Sequence, residues 1–216
     1  MIPARAEPLT IAGAAGDIEA LIEVPAAPDA APPSAFAVIC HPHPLHGGTM
    51  HNKVVSTLAR TCNELGVPTI RFNFRGVGKS AGAFDEGSGE TDDALAAVAV
   101  GRQRWPDAAL WLAGFSFGGY VALRAASRGD GARATHLVTV APAFTRYFDS
   151  PAAVPMPACP WLIVQGDADE VIDAQAVIEW AKRLVPPPRL AVLEGVGHFF
   201  HGRLNQLRDT VMESLQ

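Results

Sequence analysis

Ser116 lies in Gly114-Phe115-Ser116-Phe117-Gly118, a G-x-S-x-G pattern that follows an apolar run and opens a helical one. Residues 109–113 read as a buried strand and 119–127 as a helix, with Val121, Leu123 and Ala125 among its apolar residues. A serine at such a sharp strand-to-helix turn presents its hydroxyl at the end of the sheet, where it can attack an acyl carbon. The turn crowds its flanks, and Gly114, Gly118 and Gly119 supply the room. A serine hydroxyl is a weak nucleophile until a base takes its proton and an acid fixes the tautomer of that base. Downstream, an apolar run at 161–165 leads into Gly166-Asp167-Ala168-Asp169-Glu170, and another at 190–193 leads into Glu194-Gly195-Val196-Gly197-His198. His198 is the expected base. Asp167 and Asp169 leave the same strand end. The nearer one suits capping of loop amides and the farther one can reach the histidine, so Asp169 is favoured over Asp167 as the acid. Asp173 reads as the N-cap of the next helix.

The tetrahedral intermediate of this attack carries an oxyanion that backbone amides must hold. One donor is the amide of Phe117. The second is expected from the loop after a strand at 36–40, because that strand neighbours the serine-bearing one in sheets of this kind. The loop reads His41-Pro42-His43-Pro44-Leu45-His46-Gly47-Gly48-Thr49-Met50-His51. Prolines have no N–H to donate, which leaves His43, the favoured donor, or Leu45. Its histidines also raise a metal site, but His-x-His plus His51 has no cysteine or carboxylate nearby in sequence to complete a ligand set. No metal and no cofactor are expected. Gly76-x-Gly78 hints at phosphate binding, yet the third glycine and the later acid are missing. It reads as a tight connection under the site, with Arg75 as a structural arginine.

These groups need a scaffold to bring them together. Runs at 9–12 and 18–24, joined by Gly13-Ala14-Ala15-Gly16-Asp17, read as an antiparallel hairpin. An Ala/Pro-rich surface connection spans 25–33. Further strands are expected at 36–40, 67–74, 109–113, 136–140, 161–165 and 190–193. Helices are expected at 52–65, ended by Gly66, and at 92–103 with Thr91 as N-cap. Others follow at 119–127, at 174–185 before three prolines, and at 203–215. Strands alternating with helices after a hairpin give an α/β fold, a mostly parallel sheet with helices on both faces.

A chain of 216 residues, 49% apolar and 18% charged, can bury one large core, and a single domain over 1–216 is expected. A net charge of −5 with scattered basic residues gives no footprint for nucleic acid. No apolar stretch approaches the ~20 residues of a membrane span, and the first residues lack the apolar core of a secretory signal. Cys40, Cys62 and Cys159 imply no disulfide framework and read as small buried hydrophobes in a reducing compartment. A soluble cytoplasmic enzyme with a small-molecule acyl substrate is expected.

The elbow Gly-Phe-Ser-Phe-Gly-Gly, the Phe-Arg-Gly-Val-Gly-Lys-Ser turn at 74–80, Gly-Asp-Ala-Asp at 166–169 and Gly-Val-Gly-His at 195–198 together resemble the α/β-hydrolase superfamily, over 36–216. His-Pro-His-Pro-Leu-His-Gly-Gly-Thr-Met, followed by Asn-Lys-Val-Val, is similar to a small bacterial subgroup related to dienelactone hydrolases. Dienelactone hydrolases proper use a cysteine nucleophile, whereas this chain has Ser116, so their substrate is not carried over. Many superfamily members have His-Gly in the oxyanion loop where this chain has His41-Pro42. Superfamily lids are inserted after the strand placed here at 136–140. Only 141–160, with five prolines, precedes the next strand, so the resemblance implies an α/β-hydrolase fold without a cap domain and with an open site. Phe144, Phe148 and Phe199 are the candidate pocket residues, with Tyr147 and Phe200 beside them; some of these read equally well as core. The expected function is a serine hydrolase cleaving carboxylic esters or thioesters. A small-peptide serine peptidase shares the same triad. A non-catalytic binding protein on the same fold is the reading from another class.

Overall fold

The computed structural model describes residues 4–26, 32–128 and 133–215. Its centre is one eight-stranded sheet in the order β1-β2-β4-β3-β5-β6-β7-β8. β1 (Ala4–Gly13) and β2 (Gly16–Pro25) form the N-terminal hairpin, paired in register from Ala4–Pro25 to Gly13–Gly16. β2 joins β4 (Thr69–Phe72) antiparallel. The rest of the sheet is parallel: β3 (Ala35–Cys40), β5 (Ala109–Phe115), β6 (Ala134–Val140), β7 (Trp161–Gly166) and β8 (Arg189–Leu193). The connection expected at 25–33 falls largely on 27–31, outside the described residues.

Side chains alternate across the strands and bury on both faces, as a parallel sheet requires. Phe36, Val38 and Cys40 of β3 face one layer, which includes α2 (Ser88–Arg104), α3 (Phe117–Ser127) and α5 (Ala174–Arg183). Ile39 faces the other, formed with α1 (Lys53–Glu64) and α6 (Leu204–Leu215). Each fully buried Leu, Ile or Phe contributes roughly 1.5–3 kcal/mol, so these two layers hold β3 and β5 side by side. Between β6 and β7 there is a single turn of helix, α4 (Phe144–Tyr147), and a 3-10 turn at Pro151–Ala153. Among the described residues there is no cap domain. Among the described residues no helix is long and apolar enough to cross a membrane.

Several boundaries differ from the sequence reading, and three of them have a clear local reason. β4 ends at Phe72 rather than 74. The amides of Asn73 and Phe74 leave the parallel ladder and donate to the Glu19 carbonyl and to His41 Nε2, at 2.8 and 3.0 Å. α2 begins at Ser88, so Thr91 is inside it and not its N-cap. Glu90 does the capping, accepting from the amides of Asp85 and Gly87 at 2.9 and 2.7 Å. α5 stops at Arg183 instead of 185, because residues approaching Pro186 are pushed toward extended backbone. Cys40 and Cys62 are buried thiols, as a core reading requires, but Cys159 is partly exposed.

Arg75 is anchored to α2. Its Nε and Nη2 donate to Asp93 at 3.1 and 2.8 Å, and its own amide donates to the same carboxylate at 3.0 Å. A Cβ at Gly89 would lie 1.8 Å from Arg75 Nη1, so this glycine lets the guanidinium lie flat on the helix. The Arg75 and Asp93 side chains are 11% and 1% exposed, whereas those of the Arg128–Asp92 pair are 47% and 46% exposed. Stranding a buried charge costs about 3–5 kcal/mol and losing a surface pair at most about 1. Equilibrium denaturation of Asp93→Ala should therefore show a loss several times that of Asp92→Ala.

Candidate active site

Ser116 joins β5 directly to α3 with φ 56° and ψ −118°, a region that an L-residue enters only when its surroundings hold it there. They do so through the backbone. The Ser116 amide donates to the Val140 carbonyl at 2.9 Å, and its carbonyl accepts from Gly119, Tyr120 and Ala143. A Cβ at Gly114 would lie 2.1 Å from the Gly118 carbonyl oxygen, and one at Gly118 would lie 2.3 Å from that of Cys40. Backbone packs on backbone here, which leaves no alternative to glycine at either position. Gly119 is more relaxed, with Pro142 Cβ at 3.1 Å.

The turn brings Ser116 Oγ 3.1 Å from His198 Nε2, and His198 Nδ1 lies 2.8 Å from Asp169 Oδ2. A carboxylate can only accept, so Nδ1 carries the proton and Nε2 is left free to accept from the hydroxyl. Asp169 is the better buried of the pair, at 0% against 3% side-chain exposure for His198. Its Oδ1 also accepts from the amides of Val171 and Ile172, at 2.9 and 2.7 Å. Burial works to raise its pKa, but the hydrogen bonds from His198, Ile172 and Val171 outweigh it and hold the carboxyl below its ordinary value. Asp167 turns the other way, accepting from the Gly195 amide at 2.7 Å, and Asp173 caps α5 through the Ala176 amide at 3.0 Å.

Two further side chains hold this set, and neither stood out in the sequence. Glu170 accepts from the His198 amide at 3.0 Å. Gln165 is fully buried at the end of β7 and donates from Nε2 to Asp169 Oδ2 and to the Gly166 carbonyl, at 3.1 and 3.0 Å. Both neighbours are acceptors, which fixes the amide orientation, and its Oε1 finds no partner among the described residues. A polar residue closing the apolar run 161–165 was the one available signal.

The histidines after β3 divide by role. His41 is buried. Its Nδ1 donates to the Pro42 carbonyl at 2.6 Å and its Nε2 accepts from the Phe74 amide at 3.0 Å, and burial pulls its pKa down to about 4. It is a neutral tie between two chain segments. His43 lies with its ring 5.0 Å from that of Phe117 and 4.8 Å from that of Phe84. Its Nδ1 accepts from the Leu45 amide at 3.2 Å. The Leu45 amide, the alternative oxyanion donor, is thus engaged within its own loop. The Phe117 amide, at the first position of α3, has no intrahelical acceptor. The contact of Gly118 with the Cys40 and His41 carbonyls brings that end of α3 against the same loop. Among the described residues no group of three or more His, Cys, Asp or Glu side chains is placed to hold a metal.

The expected aromatic wall is only partly there. Phe144 is a core residue, 0% exposed and packed on Trp161 and Trp180, so it does not line a pocket; Phe200 is equally buried. Phe148 packs edge-on against Tyr120. The ring of Phe117 is instead bordered by His43, Phe84 and Tyr147. Phe199, 43% exposed, meets His198 at 5.0 Å.

A lidless doubly covered sheet with a serine on the β5–α3 turn defines the class, an α/β serine hydrolase without a cap. Residues 37–157 match the family described as Serine aminopeptidase, S33, and the chain belongs to that family. An uncharacterized protein of Rickettsia prowazekii is 32% identical over 192 residues, 85% of this chain and 79% of that one. An α/β serine hydrolase homologue from Coxiella burnetii is 44% identical with a TM-score of 0.87, covering 97% of both chains. A lidless serine hydrolase from Xanthomonas campestris is 43% identical with a TM-score of 0.88, covering 99% of this chain and 94% of that one.

Two measurements probe this geometry. Gly118→Ala drives a methyl group into the Cys40 and His41 carbonyls, and should cost more than about 2 kcal/mol; Gly119→Ala should cost less. His41 titrates near 6.5 in the unfolded chain and near 4 when folded. Below pH 6.5 protons therefore favour the unfolded state at this group, and stability falls until the folded pKa is passed. The loss amounts to about 2 kcal/mol between pH ~8 and pH ~5. Denaturant titrations at both pH values should show that much less pH dependence in His41→Asn than in the wild type.

Proposed function

We propose that the protein hydrolyses carboxylic esters or thioesters through an acyl-enzyme on Ser116. The observation that carries this reading is the unbroken relay from Ser116 Oγ through His198 to Asp169, at 3.1 and 2.8 Å. His198 Nε2 takes the hydroxyl proton as Oγ bonds to the acyl carbon. The carbonyl oxygen becomes an oxyanion held by the Phe117 and His43 amides. Its collapse breaks the bond to the alcohol oxygen or thiol sulfur, which leaves with the proton from His198. Water, giving its proton to the same nitrogen, then attacks the acyl-serine. The carboxylic acid departs and Ser116 is regenerated. Asp169, held ionised by its own hydrogen bonds, stabilises the imidazolium in both halves. No step calls for a cofactor. Free thiols at Cys40, Cys62 and Cys159 suit a reducing, cytoplasmic setting.

The family description favours a second reading, cleavage of short peptides from their N-terminus. The relay serves both reactions, and the shape of the site decides between them. A binding protein without catalysis is disfavoured because nucleophile and base stand at hydrogen-bond distance.

A fluorophosphonate should add one adduct to the wild type and none to Ser116→Ala, read by intact mass. The wild type should release p-nitrophenol from short-chain esters and no p-nitroaniline from aminoacyl anilides. Anilide cleavage with inert esters would favour the peptidase. No adduct on folded protein would favour the binding protein.

A further inference from the structure

The ring of Phe199 is shared between two places. It meets His198 at 5.0 Å on one side of the chain and stacks on His201 at 5.8 Å on the other. It also lines a cavity of about 290 Å³ with Thr49, His51, Asn52, Lys53 and His201. The charged and titratable lining is basic: one lysine and two histidines, with no carboxylate. Lys53 makes no ion pair among the described residues. Glu19 feels His51, but its carboxylate is held by Asn73 Nδ2 and the Lys79 amide, at 2.8 and 3.0 Å. In a chain of net charge −5, Lys53 is a cation without an ion-pair partner among the described residues, in a cavity that shares Phe199 with the His198 ring.

Reaction chemistry says which half of a substrate meets it. His198 must return its proton to the leaving oxygen or sulfur, so the leaving half lies against His198, and Phe199 packs on that ring. Because Phe199 also lines the basic cavity, an alcohol or thiol long enough to extend past it would reach that cavity. We infer that the cavity binds an anionic group, a carboxylate or a phosphate, on the alcohol or thiol half of the substrate, with Lys53 as its counter-ion and His201 as a further donor. This inference rests on the ester-hydrolase reading and narrows it to acidic leaving groups.

The test compares three acetate esters of matched shape: 4-acetoxybenzoate, its neutral methyl ester, and 4-acetoxyphenyl phosphate. The quantity read is kcat/KM for each charged ester divided by that for the neutral one. Lys53→Met should lower this ratio about five- to tenfold, the effect of a partly exposed charge-assisted contact. Lys53→Glu should lower it further, and the wild-type preference should shrink as salt rises. Lys182→Met, an exposed lysine on α5, should leave the ratio unchanged. A loss confined to the benzoate or to the phosphate names the anion. An unchanged ratio in Lys53→Met and Lys53→Glu overturns the inference. The methyl ester judges the underlying reading separately: its hydrolysis by wild type and not by Ser116→Ala keeps that reading whatever the ratio does. Failure to cleave any of the three esters removes both.

Discussion

The backbone of Ser116 is held in a left-handed conformation, at a cost on the order of 1–3 kcal/mol, and much of the neighbouring architecture follows from holding it. The serine amide and carbonyl are tied to β6, to the first turn of α3 and to Ala143. Those ties require β6 to lie beside β5. The crossing of β5 into α3 brings Gly118 onto the Cys40 and His41 carbonyls, which requires β3 on the opposite side. β5 is thus fixed between two particular neighbours by one strained residue. The loop after β3 arrives beside the Phe117 amide for the same reason, and no separate device is needed to bring it there.

A second constraint joins the loops after β7 and β8. A Cβ on Gly166 would lie 2.1 Å from the Val196 carbonyl oxygen, and the amides of Asp167 and Ala168 donate to the carbonyls of Leu193 and Val196. Three acids on one loop then act in three ways. Asp167 holds the Gly195 amide, Glu170 holds the His198 amide, and Asp169 holds the imidazole. The histidine is positioned through its backbone and its ring by the same short segment, so displacement of one loop displaces both partners together. Gln165 closes the arrangement with an Oε1 that has no partner among the described residues, and a buried unpaired acceptor costs about 1–3 kcal/mol. That cost is offset by two donors placed on a carboxylate and a carbonyl.

The sheet was legible from sequence because a strand covered on both faces must be apolar throughout, and runs such as 36–40 and 161–165 have that character. The serine turn was legible because only glycine fits backbone against backbone. The hairpin was legible, but its attachment to β4 was not, since nothing local in β2 specifies a partner far along the chain. The end of β4 was misjudged because His41 and Glu19, distant in sequence, take the amides of Phe74 and Asn73. Thr91 looked like a cap because threonine caps well in isolation; Glu90 reaches back and does it instead. Phe144 and Phe199 have equal hydrophobicity and opposite fates, since position on the fold, not residue type, decides which one meets solvent. Gln165 and Glu170 escaped notice because their partners lie across a loop pair that the chain brings together only on folding.

Without a lid, the site cannot exclude water by closing, so its electrostatics must come from depth. Side-chain exposure is 0% at Asp169 and 3% at His198, and Ser116 as a residue is 7% exposed. The ionised group is the deepest, where charges attract most strongly, and the neutral hydroxyl is the shallowest. Asp169 needs no water there, because His198, Gln165 and the amides of Val171 and Ile172 supply donors to both its oxygens. In the proposed reaction an imidazolium forming on His198 would meet a fixed counter-charge that solvent screens little. Shallower residues surround this buried relay. These include His43 on the loop after β3, Phe84 and Tyr147 beside Phe117, and Phe199 on the loop after β8. The loop after β8 carries His198 and Phe199 side by side, so a change at this outer rim is transmitted directly to the buried relay.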